Sequence, residues 1–181
     1  CMSMVRRLHQ SGITVAHSFD IRERISFYEK LCRSHGALLF EDYEEVKGWM
    51  DWLMDTLDSM ERPKCLCHID ANVDNFLFFE DGSVKLLDWE YAGMCDPVMD
   101  VSMCAIYSYY KEEDMERLFR LYLRREPSED ELFALYANAA LGGFLWCLWA
   151  VYKSILGDEF GEYTIIMYRY AKKYYRKLRK L

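Results

Sequence analysis

Proline is scarce in this chain: Pro63, Pro97 and Pro127 are the only three in 181 residues, and no Pro/Gly-rich run joins them. With no low-complexity tract and no internal repeat either, the sequence reads as neither a flexible linker nor a solenoid. Basic charge is also short. Against 30 Asp and Glu there are 23 Lys and Arg, a net charge of -7, so phosphate backbones meet repulsion and nucleic-acid binding is not expected. No two cysteines have Cys-x-x-Cys spacing, and their total of seven is odd and irregularly placed. A zinc ribbon or thioredoxin-like motif is therefore not expected, and the thiols read as reduced, mostly buried and cytoplasmic. The opening residues, CMSMVRRLHQ, lack the apolar stretch of a secretion signal. Because the chain starts on Cys rather than Met, further residues are expected upstream.

What is present is apolar and aromatic. Apolar residues make up 52% of the chain and aromatics 16%, enough for a sizeable core and too much for a disordered chain. From Leu132 to Tyr152 no residue is charged, a run long enough to span a bilayer. Asn138 and the Gly142-Gly143 pair interrupt it, and its Tyr and Trp are spread along it rather than gathered at its ends. A helix buried in a globular lobe is the expectation, not a transmembrane segment. The stretch from Tyr168 to Leu181 holds seven basic and no acidic residues. It reads as the solvated face of a last helix, with cations favoured at the C-terminal end, or as a contact for an anionic surface.

The pattern along the chain predicts helices, a small hairpin, then helices again. Met4–Gln10 ends one helix. Asp20 is placed to cap another, running from Ile21 to about Ser34, and Tyr43–Met60 shows helical apolar spacing. Cys65–Cys67 is short and apolar. Asn75–Phe79 and Val84–Leu87 read as two strands about the turn Glu80-Asp81-Gly82-Ser83. Helical signals resume after Pro97. The fold class expected is mostly α with a small β-hairpin.

Chemistry gathers around that hairpin. His68 and Asp70 follow the apolar stretch, Asn75 opens the first hairpin strand, and Asp88 and Glu90 follow the second. Two carboxylates and an amide oxygen are hard donors suited to Mg²⁺. Asp88 and Glu90, two apart on extended chain, are expected on one side. Asp70 remains to accept a proton from an alcohol. Taken singly, Asp and Asn are ordinary turn residues. Together, His-x-Asp-x4-Asn followed by a hairpin and an apolar-apolar-Asp is the order of parts in kinase-like phosphotransferases.

The run CLCHIDANVDNFLFFEDGSVKLLDWEYAGMCDPVMDVS resembles the catalytic core of the choline/ethanolamine kinase family, especially its bacterial LicA-type members. Aminoglycoside phosphotransferases are more distant relatives. The resemblance implies the C-terminal lobe of a protein-kinase-like phosphotransferase over residues 1–181, with a catalytic core at 65–100 and a helical substrate-binding part at 101–181. It implies that Asp70 orients and deprotonates the substrate hydroxyl, that Asn75 and Asp88 bind Mg²⁺ and with it ATP, and that Glu90 assists the metals. His68 would pack behind the loop and Asp100 would brace it. Cys95 stands where the family often has Asn, and Tyr107 where eukaryotic members carry a pocket glutamate. Trp146 and Trp149, three apart and so on one helix face, resemble the pair that cages choline, a cation suited to indole faces; Tyr170 resembles the tyrosine that closes the cage. An aromatic stripe is otherwise ordinary core.

The amino-terminal stretch from Leu8 to Glu29 resembles the part just after the kinase hinge, and no Gly-rich loop or nucleotide-clamping lysine strand is seen. The expectation is a lobe with little activity alone, prone to self-association through the face that a partner lobe would cover. An aminoglycoside-type phosphotransferase and a non-catalytic amine-binding pseudokinase are the alternatives.

Overall fold

The computed structural model describes residues 1–37 and 40–180. It comprises two compact units, Cys1–Phe19 with Arg62–Asn138, and Asp20–Glu61 with Ala139–Leu181. The expected class holds: helices dominate, and the strands are three residues each.

In the first unit, α1 (Met2–His9) buries Met2 and Val5. Strand β1 (Cys65–Cys67) pairs antiparallel with β4 (Gly93–Cys95), Cys65 facing Cys95 and Cys67 facing Gly93. The hairpin is β2 (Phe76–Phe78) with β3 (Val84–Leu86), Phe76 opposite Leu86. Its turn uses Gly82 at φ 78°, a left-handed backbone that glycine adopts without steric cost. Strand β4 also receives the chain at Ser18 in a parallel bridge to Met94, and Phe19 N–H donates to the Met94 carbonyl at 3.1 Å. Gly93 permits that approach, since a Cβ there would stand 2.8 Å from the Phe19 nitrogen. Then come α4 (Val98–Tyr107), almost wholly buried, and amphipathic α5 (Glu112–Leu123).

The longest helix, α6 (Glu129–Ile155), starts in the first unit and ends in the second. Its start is a reciprocal capping box. Glu131 N–H donates to Ser128 Oγ at 3.2 Å, and Ser128 N–H to Glu131 Oε2 at 2.9 Å. By length and composition it is the one helix among the described residues apolar enough to cross a membrane, and 83% of its apolar window is buried inside the protein.

In the second unit α2 (Ile21–Ser34) begins where Asp20 accepts hydrogen bonds from the N–H groups of Arg22 and Glu23. Helix α3 (Tyr43–Ser59) buries Val46, Met50 and Leu53, and α7 (Tyr163–Leu178) packs beside it. The basic face of α7 has internal partners. Tyr175 stacks on Trp49 at 4.6 Å, Arg176 and Arg179 lie over Trp49 and Trp52, and Lys172 pairs with Asp42.

Two outcomes are expected. Gly143→Ala would put a Cβ 2.6 Å from the Met167 carbonyl oxygen and 3.0 Å from Tyr170 Cβ. Overpacking against backbone costs about 1–3 kcal/mol, read as a lower urea midpoint; an unchanged midpoint rejects the contact. The Arg125 guanidinium holds the Glu131 carboxyl at about 2, below its ordinary 4.5. A lowered folded value means that the contribution is complete above about pH 4.5 and is lost as pH falls toward 2. Glu131→Gln should flatten the acid limb of the stability curve, and an equal slope in variant and wild type would exclude this pair as a cause.

Candidate active site

The loop after β1 is bent and fixed at its root. Ile69 is fully buried and sits at φ 72°, a left-handed conformation unfavourable for a β-branched side chain. Asp100, in the first turn of α4 and fully buried, secures it. Its Oδ2 accepts the His68 N–H at 2.8 Å and its Oδ1 the Ile69 N–H at 2.6 Å. Asp100 Oδ2 also meets His9 Nε2 at 2.9 Å, and His9 Nδ1 meets the Tyr122 hydroxyl at 2.8 Å. Arg6 donates to the carbonyls of Tyr122 and Leu123 at 2.6 and 3.0 Å. Helices α1, α4 and α5 thus converge on two peptide groups of one loop.

Beyond that root the loop turns back through Asn72, whose N–H donates to the Asp70 carbonyl at 2.8 Å. Asn72 caps the short 3-10 turn Val73–Asn75. The Asn75 amide Nδ2 donates to Asp70 Oδ2 and to the Asp70 carbonyl, both at 3.0 Å. With its NH₂ so used, Asn75 turns its carbonyl oxygen elsewhere, the end that a cation could take. The backbone carbonyl of Asn75 accepts the Leu87 N–H at 2.9 Å, one step beyond the β2–β3 ladder. His68 Nε2 donates to the Leu87 carbonyl at 2.7 Å. A carbonyl only accepts, so the proton is on Nε2; Nδ1 is buried with no hydrogen-bond partner. The His68 imidazole therefore ties the loop to the peptide that leads into Asp88. Trp89 packs edge-on against His68 at 4.8 Å, and its Nε1–H donates to the Leu86 carbonyl at 2.9 Å.

The structure thus joins Asp70 to Asn75 directly, and places Asp88 next to the residue that pairs with Asn75. Asp70 and Asn75 are half-buried, whereas Asp88 and Glu90 are exposed. One sequence argument needs correcting. Strand β3 ends at Leu86 and Asp88 has φ 61°, so the chain is not extended there and alternation does not put Asp88 and Glu90 on one side. All four offer oxygen donors, a set that fits a hard cation such as Mg²⁺ and not a soft one. His9 and Tyr122 were not legible as parts of the site: 91 residues separate His9 from Asp100, and no local pattern marks the pair.

The aromatic helix face belongs to the other unit. Trp146 is 3% exposed and meets Trp149 edge-to-face at 5.8 Å. Trp149 is half-buried; Phe160 lies at 5.0 Å and the Lys153 ammonium 5.9 Å over its ring. Tyr170, nearly buried, stacks on Tyr174 at 5.6 Å. Trp149 is thus more open than Trp146, and a cation already sits over its ring.

Asp100→Ala should cost about 3–5 kcal/mol, because two buried N–H groups and an imidazole lose their acceptor together. Urea unfolding reads this. A loss below about 1 kcal/mol would show that the loop does not depend on the carboxylate.

Comparison with known proteins gives the family and the fold. LicA from Haemophilus influenzae is 25% identical over 178 residues, covering 91% of this chain and 51% of that protein. The crystal structure of the choline kinase LicA from Streptococcus pneumoniae superposes with a TM-score of 0.84 at 26% identity, covering 97% of this chain and 62% of that one. A LicA structure in complex with AMP gives 0.82 at 26% identity, with 97% and 60% covered. The chain thus spans about half to three-fifths of the length of these proteins. A family model, described as the phosphotransferase enzyme family, matches residues 2–142. A loop braced from three helices and a matching family model together place this chain in the phosphotransferase enzyme family.

Proposed function

We propose that this chain carries the hydroxyl-activating and amine-binding parts of an ATP- and Mg²⁺-dependent kinase for choline or a similar small amino-alcohol. The observation that carries the reading is the hydrogen-bonded pair of Asp70 and Asn75, held against Leu87 and the peptide leading into Asp88. Similarity to choline kinases and to a LicA structure holding AMP supports the substrate class and the nucleotide.

In this reading Asp70 accepts the proton of the substrate hydroxyl as the oxygen attacks the terminal phosphate of ATP. The Asn75 amide fixes the carboxylate's rotamer, so that its second oxygen is presented without a search over torsions. The Asn75 carbonyl oxygen with Asp88 and Glu90 would hold Mg²⁺. When bound there, the ion supplies charge neutralisation at the phosphates. Trp146, Trp149 and Tyr170 receive the ammonium end, where indole faces replace part of its hydration. The exposed Leu77, Phe78 and Phe79 of the hairpin support an apolar surface through which copies self-associate.

Two measurements test this. Calorimetric titration of choline into the chain should give heat that Trp149→Ala weakens about 5–30-fold, a cation–π loss of about 1–2 kcal/mol. Heat from an aminoglycoside and none from choline would replace the substrate. Phosphoryl transfer is followed as choline-dependent ADP release, from this chain and from a chimera that supplies the rest of a LicA protein. Asp70→Asn should lower kcat about 10²–10⁴-fold with choline affinity kept. Equal turnover by wild type and variant in the chimera would remove Asp70 from the chemistry.

A further inference from the structure

A second group of ligand atoms lies behind the braced loop and is soft where the site is hard. Cys65 and Cys67, at i and i+2 of β1, point to one side, with their sulfurs 3.8 Å apart. Two thiolates on one tetrahedral zinc, each about 2.3 Å from the metal, stand about 3.8 Å apart. One ring nitrogen of His9 completes a set whose atoms all lie within 4.8 Å of one another. We propose that Cys65, Cys67 and His9 bind a soft divalent metal ion of the Zn²⁺ and Cd²⁺ class, at a site distinct from the phosphotransfer loop.

Three further observations support it. Cys67 is fully buried and the His9 side chain is 3% exposed, so two of the three ligands are already desolvated. Asp100 holds His9 Nε2 at 2.9 Å, as an outer carboxylate orients a metal-bound imidazole. The hydrogen bond between the two thiols holds Cys65 below its ordinary value and, together with burial, holds Cys67 above it, so Cys65 loses its proton first and Cys67 gives up its proton only as the metal bond forms. Two thiolates and a neutral imidazole balance a dication in the ligand set itself, while the Asp100 carboxylate keeps its hydrogen bonds to the His68 and Ile69 N–H groups and to His9. Both imidazole nitrogens now have partners, and the neutral Tyr122 hydroxyl at Nδ1 is cheaper to release than the Asp100 carboxylate. Each coordinating thiol gives its proton to solvent and no electron moves. Three protein ligands leave the fourth tetrahedral position to water.

The test is titration of the 181-residue chain with Cd²⁺ under a phosphine reductant, following the ultraviolet charge-transfer band of cadmium–thiolate bonds. One equivalent of Cd²⁺ is expected, with an intensity for two thiolates, displaced by Zn²⁺ and indifferent to Mg²⁺. Cys65→Ser, at a half-exposed position, should weaken binding at least about 100-fold, the upper end of what losing an outer-shell partner costs; Cys1→Ser should bind as wild type. Cys65→Ala serves if the serine variant loses its helical circular dichroism. Absence of the band in wild type, or its full retention without Cys65, overturns the proposal.

Discussion

One buried carboxylate takes on more than its share of the first unit's geometry. Asp100 receives three hydrogen bonds, from two consecutive peptide groups and an imidazole. Ile69 would not hold a left-handed backbone by itself, since its Cβ branching opposes that conformation. The two consecutive N–H groups that lead into its bend, those of His68 and Ile69, both find their acceptor in Asp100. The conformational cost at Ile69 is thereby offset by satisfying donors that burial would otherwise leave unpaired. Everything downstream, from the Asp70 carbonyl to the Asn75 amide, starts from the direction the chain takes at that point.

Coupling between loop and hairpin is equally local. The Leu87 backbone is bound at both of its polar groups, its N–H by Asn75 and its C=O by His68. Asp88 follows immediately, so its backbone inherits a position set by two different segments. This is pre-organisation built from main-chain atoms, and it leaves the carboxylates of Asp70, Asp88 and Glu90 free of strong internal charge partners among the described ion pairs. His9, the imidazole of the proposed soft site, meets the same buried carboxylate that accepts the loop's two peptide N–H groups.

Much of the fold was legible in the sequence because its signals are local. Asp20 before an amphipathic run marks α2 to the residue, and Asp81-Gly82 between two apolar runs marks the hairpin. Pairing of Gly93–Cys95 with Cys65–Cys67 was not legible: three residues are too few for a periodicity, and the central partners, Leu66 and Met94, lie 28 positions apart. The same applies to His9 and Tyr122, whose contacts arise from packing of α1 and α5. At the site, the residues carrying oxygen donors were readable from type and order. The left-handed turn at Asp88 was not: aspartate tolerates that backbone but does not require it, and the hydrogen bonds to Leu87 that precede it join residues distant in sequence.

The ammonium of Lys153 over the Trp149 ring has a consequence for whatever cation the aromatic face receives. On the proposed reading, an incoming quaternary or primary amine would exchange with the Lys153 ammonium already over the ring instead of filling a vacant face, so the net charge over the indole would be the same before and after. Discrimination then follows the difference in dehydration between the two ammonium groups, which favours the more weakly hydrated one. Such a swap has little net electrostatic work associated with it. Its equilibrium should therefore respond weakly to ionic strength, unlike that of a pocket relying on an uncompensated carboxylate.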